Sequence, residues 1–179
     1  DMALSCHNAL RAAFGDANPL FDPPHSTFVP GKHEANVPNI NTVPGNDVFY
    51  IDCRLLPHVE MDNVLAKMRE VAAEVAARHY VQINISVVQR QNATAIPQTC
   101  TVVTALKSAI ASIYGEKAQA VGIGGATVAS FLRHKGLPAA VWACLENTCH
   151  QPDERSSITA TIKDAQVFAH ILMNKIGRA

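Results

Sequence analysis

The chain has little charge, few aromatic rings and no excess of either sign. Charged residues make up 17% and aromatic ones 6%, against 48% hydrophobic residues, and fifteen basic side chains cancel fifteen acidic ones. No basic run breaks that balance, which argues against a nucleic-acid or membrane-surface role. No apolar run approaches the ~18 residues of a membrane span, no signal peptide is expected, and there is no internal repeat or low-complexity tract. The five cysteines (Cys6, Cys53, Cys100, Cys144 and Cys149) are odd in number and lack paired spacing. Small core residues in a reducing cytoplasm are therefore the expectation. An initiator Met is also missing: the chain starts at Asp1 and is expected to be a piece of something longer. What is present, 179 residues, is enough for one large domain or two small ones.

Two halves emerge along the chain. Met2 to about Phe14 has apolar residues at helical spacing and closes at Gly15. Asn18 to Pro24 reads as a Pro-rich turn. His25 to Glu34 alternates like a strand, and Asn36 to Gly45 is too rich in Pro and Asn for regular structure. Val48 to Leu56 is a strand with Phe49, Ile51 and Cys53 on one face and Tyr50, Asp52 and Arg54 on the other. Met61 to His79 is the clearest helix, with Val64, Leu65, Met68, Val71, Ala72 and Val75 in one stripe and Asp62 in its first turn. Val81 to Val88 alternates again. Helix, strand, strand, helix, strand is most of a ferredoxin-like (split βαβ) layer lacking its first strand. Beyond the linker Gln91 to Pro97, a helix (Thr99 to Tyr114), a strand (Ala118 to Ile123), a helix (Thr127 to His134), a buried strand (Leu137 to Cys144) and a helix (Ile162 to Ile176) follow. That order implies a partial, helix-covered parallel sheet. The expected domains are 1–90 and 91–179, in an α/β fold class.

Candidate chemistry gathers at a few places. The segment Asn147-Thr-Cys-His-Gln-Pro-Asp-Glu154 puts His150 just past a strand end, where open α/β sheets place their sites. A catalytic zinc needs three protein ligands, and no second or third is evident. Glu146 and His150 are joined by a loop, so a helical HExxH arrangement does not apply. Cys149 beside His150 invites a thiol nucleophile, but adjacent side chains usually point apart and no orienting Asn or Asp is evident. Gly122-Ile-Gly-Gly-Ala-Thr127 can present N–H groups to an anion at a helix start. It lacks both GxGxxG spacing and a Walker Lys, which favours a plain strand-to-helix turn. Arg54 could clamp a carboxylate bidentately, although an ion pair at the strand edge, to Asp52 or Glu34, is the simpler reading. His25, His33 and His58 fall in turns, and His79 and His170 on helix surfaces.

Together these segments resemble a known family. Phe21-Asp-Pro-Pro-His-Ser-Thr-Phe28, Glu34-Ala-Asn-Val-Pro-Asn-Ile-Asn-Thr-Val-Pro-Gly45 and Asp47-Val-Phe-Tyr-Ile-Asp-Cys-Arg-Leu-Leu-Pro57 are similar to the lid, or dimerisation, domain of the dizinc acetylornithine deacetylase, succinyl-diaminopimelate desuccinylase and aminoacylase family. Gly122 to Thr127, Gly136-Leu-Pro138 and Asn147 to Glu154 are similar to the C-terminal end of its catalytic domain, with a zinc-peptidase-like α/β/α sheet. The likeness runs from about Leu20 to the last helix, with several motifs in the family's order.

The resemblance implies a co-catalytic zinc hydrolase, in which two bridged zinc ions polarise an amide carbonyl and activate a water while a separate Glu serves as general base. It implies His150 as a metal ligand. Asn41 and Arg54 become lid contacts to substrate, Gly125 a backbone contact in the Gly-rich turn, and Glu154 a residue behind the metal or on the substrate. Ala126 departs from the small hydrogen-bonding residue or Gly usual there. The general base, the other metal ligands and the lid's early His lie upstream in the family; His7 lacks that motif. The expectation is therefore a fragment of a cytoplasmic zinc amidohydrolase (cobalt or manganese being alternatives) that is inactive and metal-free by itself. Its substrate would be a small N-acyl amino acid or dipeptide-like molecule, and the parent a homodimer through the lid. The alternative is a non-catalytic dimerisation and substrate-recognition module.

Overall fold

A computed structural model describes residues 1–125, 127–149 and 151–176. The fold is mixed α/β, in two compact units: residues 1–93 with 122–125, and residues 94–121 with 126–179.

The first unit is built on a hairpin. Strands β2 (Thr27–His33) and β3 (Phe49–Arg54) pair antiparallel, with Phe28 opposite Cys53 and Pro30 opposite Ile51. The register slips between Pro30 and Lys32, where Pro30 has no N–H to give the ladder and Gly31 accommodates the bulge. Helix α1 (Met2–Ala13) stops where a side chain no longer fits, since a Cβ on Gly15 would lie 2.7 Å from the Arg11 carbonyl oxygen. Helix α2 (Met61–His79) buries the expected stripe of Val64, Met68, Val71, Ala72 and Val75. Its C-cap, Tyr80, is left-handed. These faces close over Cys6, Leu10 and Phe28 as one core, with Ile51 and Cys53 from β3 packed against it. Phe28 is 1% exposed, and burying such a ring is worth roughly 1.5–3 kcal/mol. The buried Ser26 hydroxyl is satisfied by the Leu56 N–H at 3.0 Å.

Two expectations change in this unit. Asn18 to Pro24 is not only a turn: it holds β1 (Phe21–Asp22), which pairs in parallel with β4 (Gly122–Ile123). Gly122 lets the strands approach there, since a Cβ would fall 2.2 Å from the Phe21 ring and force that ring to shift. Val81 to Val88, expected as a strand, is in no ladder, and among the described residues the backbone of 82–88 makes no hydrogen bond to other backbone. Its alternation survives: Ile83 and Ile85 pack on the core while Val81, Val87 and Val88 are exposed. Alternation directs side chains, but a strand also needs a neighbour to bond.

In the second unit, α3 (Thr101–Tyr114) packs on α5 (Ile158–Ile176) through Leu106, Ala109, Ile110 and Val167. Helix α3 ends at a left-handed Gly115 whose N–H bonds the Ala111 carbonyl, a common C-terminal stop. The short α4 (Val128–His134) buries Ala129 and Ser130. Helix α5 begins one turn earlier than the apolar pattern suggests. The expected strand at 118–123 is reduced to Gly122–Ile123, and Leu137 to Cys144 forms no strand. Only Ala139 in that run is buried; Ala140 and Trp142 pack on the helix pair, while Val141 is exposed. The apolar run is real, but no second strand lies against it among the described residues.

Candidate functional site

Arg54 ends β3, and its guanidinium is occupied within its own unit. Its Nε donates to Asp52 Oδ2 at 2.9 Å, and its Nη1 donates to the Gly124 carbonyl at 3.0 Å. The ion pair with Asp52 is the simpler of the two sequence readings. The contact with Gly124 was not foreseen: it joins the strand-end arginine to the Gly-rich turn 70 residues away. Gly125 follows in that turn with open space around its Cα, the nearest side-chain atom to a Cβ there being Ile123 Cδ1 at 4.0 Å. Asn41 lies apart from both, exposed in the irregular segment beside a turn closed by Thr42 N–H on the Asn39 carbonyl. Ala126 lies outside the described residues.

His150, the candidate metal ligand, also lies outside the described residues. The loop around it is described and is closed on itself. At its base Arg155 Nε pairs with Glu146 Oε2 at 2.7 Å. Inside that, the Thr148 hydroxyl donates to the Arg155 carbonyl and accepts from its N–H, both at 3.3 Å. Gln151 bonds back to Asn147 and Thr148, and Asp153 turns the chain with φ 61°. Glu154 is exposed between Asp153 and Arg155.

The remaining histidines are dispersed. His33 Nε2 contacts Asp47 Oδ1 at 2.6 Å, and Asn36 donates to the same oxygen. The bonds from His33 and Asn36 hold the Asp47 carboxyl below its ordinary value. His79 pairs with Asp1, and His7 Nδ1 meets the Phe28 carbonyl at 2.6 Å. A shallow pocket lined by Asp1, Lys32, His33, Asp47 and Phe49, among others, includes none of the candidate residues. Among the described residues no three His, Cys, Asp or Glu side chains are grouped so as to hold a metal ion. A catalytic zinc takes about three protein ligands, so these residues alone do not fit a metal centre, and no chemical step is routed through one. The cysteines are free thiols. Burial, then the Asp52 charge and Cys6, push Cys53 up to about 11, so it is not a thiolate nucleophile at neutral pH.

One carboxylate among the described residues that takes three hydrogen bonds was missed from sequence. Asp164 on α5 accepts from the Tyr114 hydroxyl at 2.6 Å and from Trp142 Nε1 at 2.8 Å through Oδ1, and from the Cys144 N–H at 2.9 Å through Oδ2. Burial pushes its carboxyl up, but the bonds from Tyr114, Cys144 and Trp142 outweigh burial and hold it below its ordinary value. Tyr114 is pushed well above a free phenol by burial and by Asp164. The available signal was chemical: a buried Tyr or Trp has a polar tip that must find a partner.

Comparison with known proteins finds similarity along most of the chain. Residues 2–80, the part that carries the hairpin, α1 and α2, match the family model of the peptidase dimerisation domain. The similarity to curated proteins extends much further along the chain. An uncharacterized metallohydrolase of Methanocaldococcus jannaschii is 33% identical over 181 residues, covering 96% of this chain and 44% of that protein. An uncharacterized metallohydrolase of Methanococcus maripaludis is 34% identical over 179 residues, covering 93% of this chain and 43% of that protein. The chain thus spans less than half the length of the curated relatives it matches. No solved structure matches it. No helix among the described residues is long and apolar enough to cross a membrane.

Proposed function

We propose that this chain is part of a metal-dependent amidohydrolase that removes an N-acyl group from an amino acid or cleaves a small peptide, a reaction in which a bound metal would supply the activated water. The observation that carries this reading is the similarity of nearly the whole chain to two proteins named metallohydrolases, together with the peptidase dimerisation domain match over residues 2–80. In this reading residues 1–90 are the lid, which pairs two copies of the protein. Residues 91–179 belong to the catalytic domain. His150 is a metal ligand, zinc being the favoured ion. Arg54, Asn41 and Gly125 face the substrate, and Glu154 stands behind the metal or on the substrate. The general base comes from sequence outside these residues.

Arg54 is already bonded to Asp52 and Gly124. Its role toward a substrate carboxylate would therefore use the outer side of an exposed guanidinium that these two partners orient. The test is an assay of the full open reading frame with zinc against acetylornithine, succinyl-diaminopimelate and simple dipeptides, beside His150→Ala. Hydrolysis that His150→Ala reduces by about a thousandfold or more is expected, the scale on which removing a catalytic group acts. Turnover of none of these substrates would refute the reading, and full activity in His150→Ala would remove His150 from it.

A second reading is favoured by one observation, that the family model matched is a dimerisation domain and covers residues 2–80 only. In it the chain is a dimerisation and substrate-recognition module without catalysis. Metal analysis of the purified full reading frame separates the two: near-stoichiometric zinc supports the hydrolase, and none supports the module.

A further inference from the structure

The geometry points to Asp164 as the positioning residue of the 146–155 loop: its carboxylate, through the Cys144 N–H, fixes the near stem of that loop to α5. The inference rests on the reading above in taking the loop around His150 as functional.

The run 139–145 has no ladder to hold it. Among the described residues no backbone hydrogen bond joins 139–145 to another segment, and two side chains serve instead. At the start, Arg133 Nη1 donates to the Ala139 carbonyl at 2.9 Å, with its Nε on Thr94 Oγ1. At the end, Asp164 Oδ2 accepts from Cys144 N–H at 2.9 Å. Glu146 follows two residues later and closes the loop onto Arg155, and from there the chain runs into α5 at Ile158. Both stems are therefore tied to α5, the far one covalently and the near one by the Asp164 bond together with the packing of Ala140 and Trp142 on the helix pair.

Asp164 is itself held. Its Oδ1 takes the hydroxyl of Tyr114 and the indole N–H of Trp142. Those two rings meet edge to face at 5.7 Å, and the Tyr114 hydroxyl also reaches the Ala160 carbonyl. Three donors thus fix both oxygens of one carboxylate, so its Oδ2 cannot swing away from Cys144 without giving up the Oδ1 bonds. Such fixed, charge-assisted bonds are the ones able to set a loop's position.

Asp164→Asn separates this role from simple packing. Asn has the same shape and keeps one acceptor for Tyr114 and Trp142, but it turns an NH2 toward the Cys144 N–H, donor against donor. Tyr114→Phe removes a donor and leaves the Cys144 bond in place. Amide hydrogen exchange of the full reading frame reads the outcome directly. The expected result in Asp164→Asn is exchange faster by about tenfold or more at Cys144, Thr148, Gln151 and Arg155, the scale of losing one bond to a charged group. Leu106 and Ile110 on α3 should be unchanged, and Tyr114→Phe should leave the loop amides within about twofold. No acceleration in Asp164→Asn overturns the inference. Equal acceleration of loop and α3 amides also overturns it, because Asp164 would then be only a core stabiliser. If the loop amides accelerate but His150→Ala leaves hydrolysis by the full reading frame intact, the positioning role stands and the functional reading of the loop falls.

Discussion

The two units hold extended backbone in different ways. In residues 1–93 the hairpin partners its own N–H and C=O groups, and a continuous core closes over it from α1 and α2. In residues 94–179 the run 139–145 has no ladder, and the polar tips of Arg133 and Asp164 take its place. A ladder spreads stability over many equivalent bonds, so that few single bonds matter. Side chains standing in for a ladder concentrate it in one or two groups. The first unit should therefore be most sensitive to lost apolar volume, and the second to the loss of one carboxylate.

The largest expected effect tests the first half of that contrast. Phe28→Ala removes the largest fully buried side chain of the first core and should cost about 3–5 kcal/mol, read as a urea midpoint shift by circular dichroism. A cost below about 1 kcal/mol would mean that the hairpin, not the core, holds this unit. Next, Asp164→Ala should cost on the order of 2 kcal/mol, since it strands three donors. The change should be visible in the fluorescence of Trp142, the chain's one tryptophan. The folded carboxyl lies below its ordinary value. Its contribution is therefore complete above the unfolded value of about 3.9 and is lost as pH falls through the folded one. Stability read at Trp142 should decline below about pH 4, and Asp164→Ala should flatten that decline; an unchanged acid slope would remove Asp164 as its source. The smallest effect concerns the short β1–β4 pairing. Gly122→Ala drives a Cβ into the Phe21 ring and should cost about 1 kcal/mol, because the half-buried ring can shift. A neutral substitution would show that this two-residue ladder carries no stability.

Legibility from sequence followed the same contrast. The α2 stripe, the stop at Gly15 and the faces of β3 are local patterns, and they appear as read. Val81 to Val88 and Leu137 to Cys144 carried equally good patterns and are not strands, because pairing depends on a neighbour that a pattern cannot supply. Among the candidate site residues, Arg54 and the Gly-rich turn come together across 70 residues through a bond to a backbone carbonyl, which has no signature in side-chain identity. The Glu146–Arg155 clamp and the Thr148 bonds were equally hidden, since any exposed Glu, Arg or Thr could have faced solvent.

By itself the sequence determined the mixed α/β class, the helices and their buried faces, the balanced charge and the motif resemblance, all of which depend on residue type and short spacing. Tertiary structure alone decided which extended runs became strands, that Arg54 reaches the Gly124 carbonyl, and that Asp164 gathers Tyr114, Trp142 and the Cys144 backbone. Those outcomes depend on hydrogen-bond partners brought together from distant parts of the chain, and a donor or acceptor does not name its partner until the chain has folded.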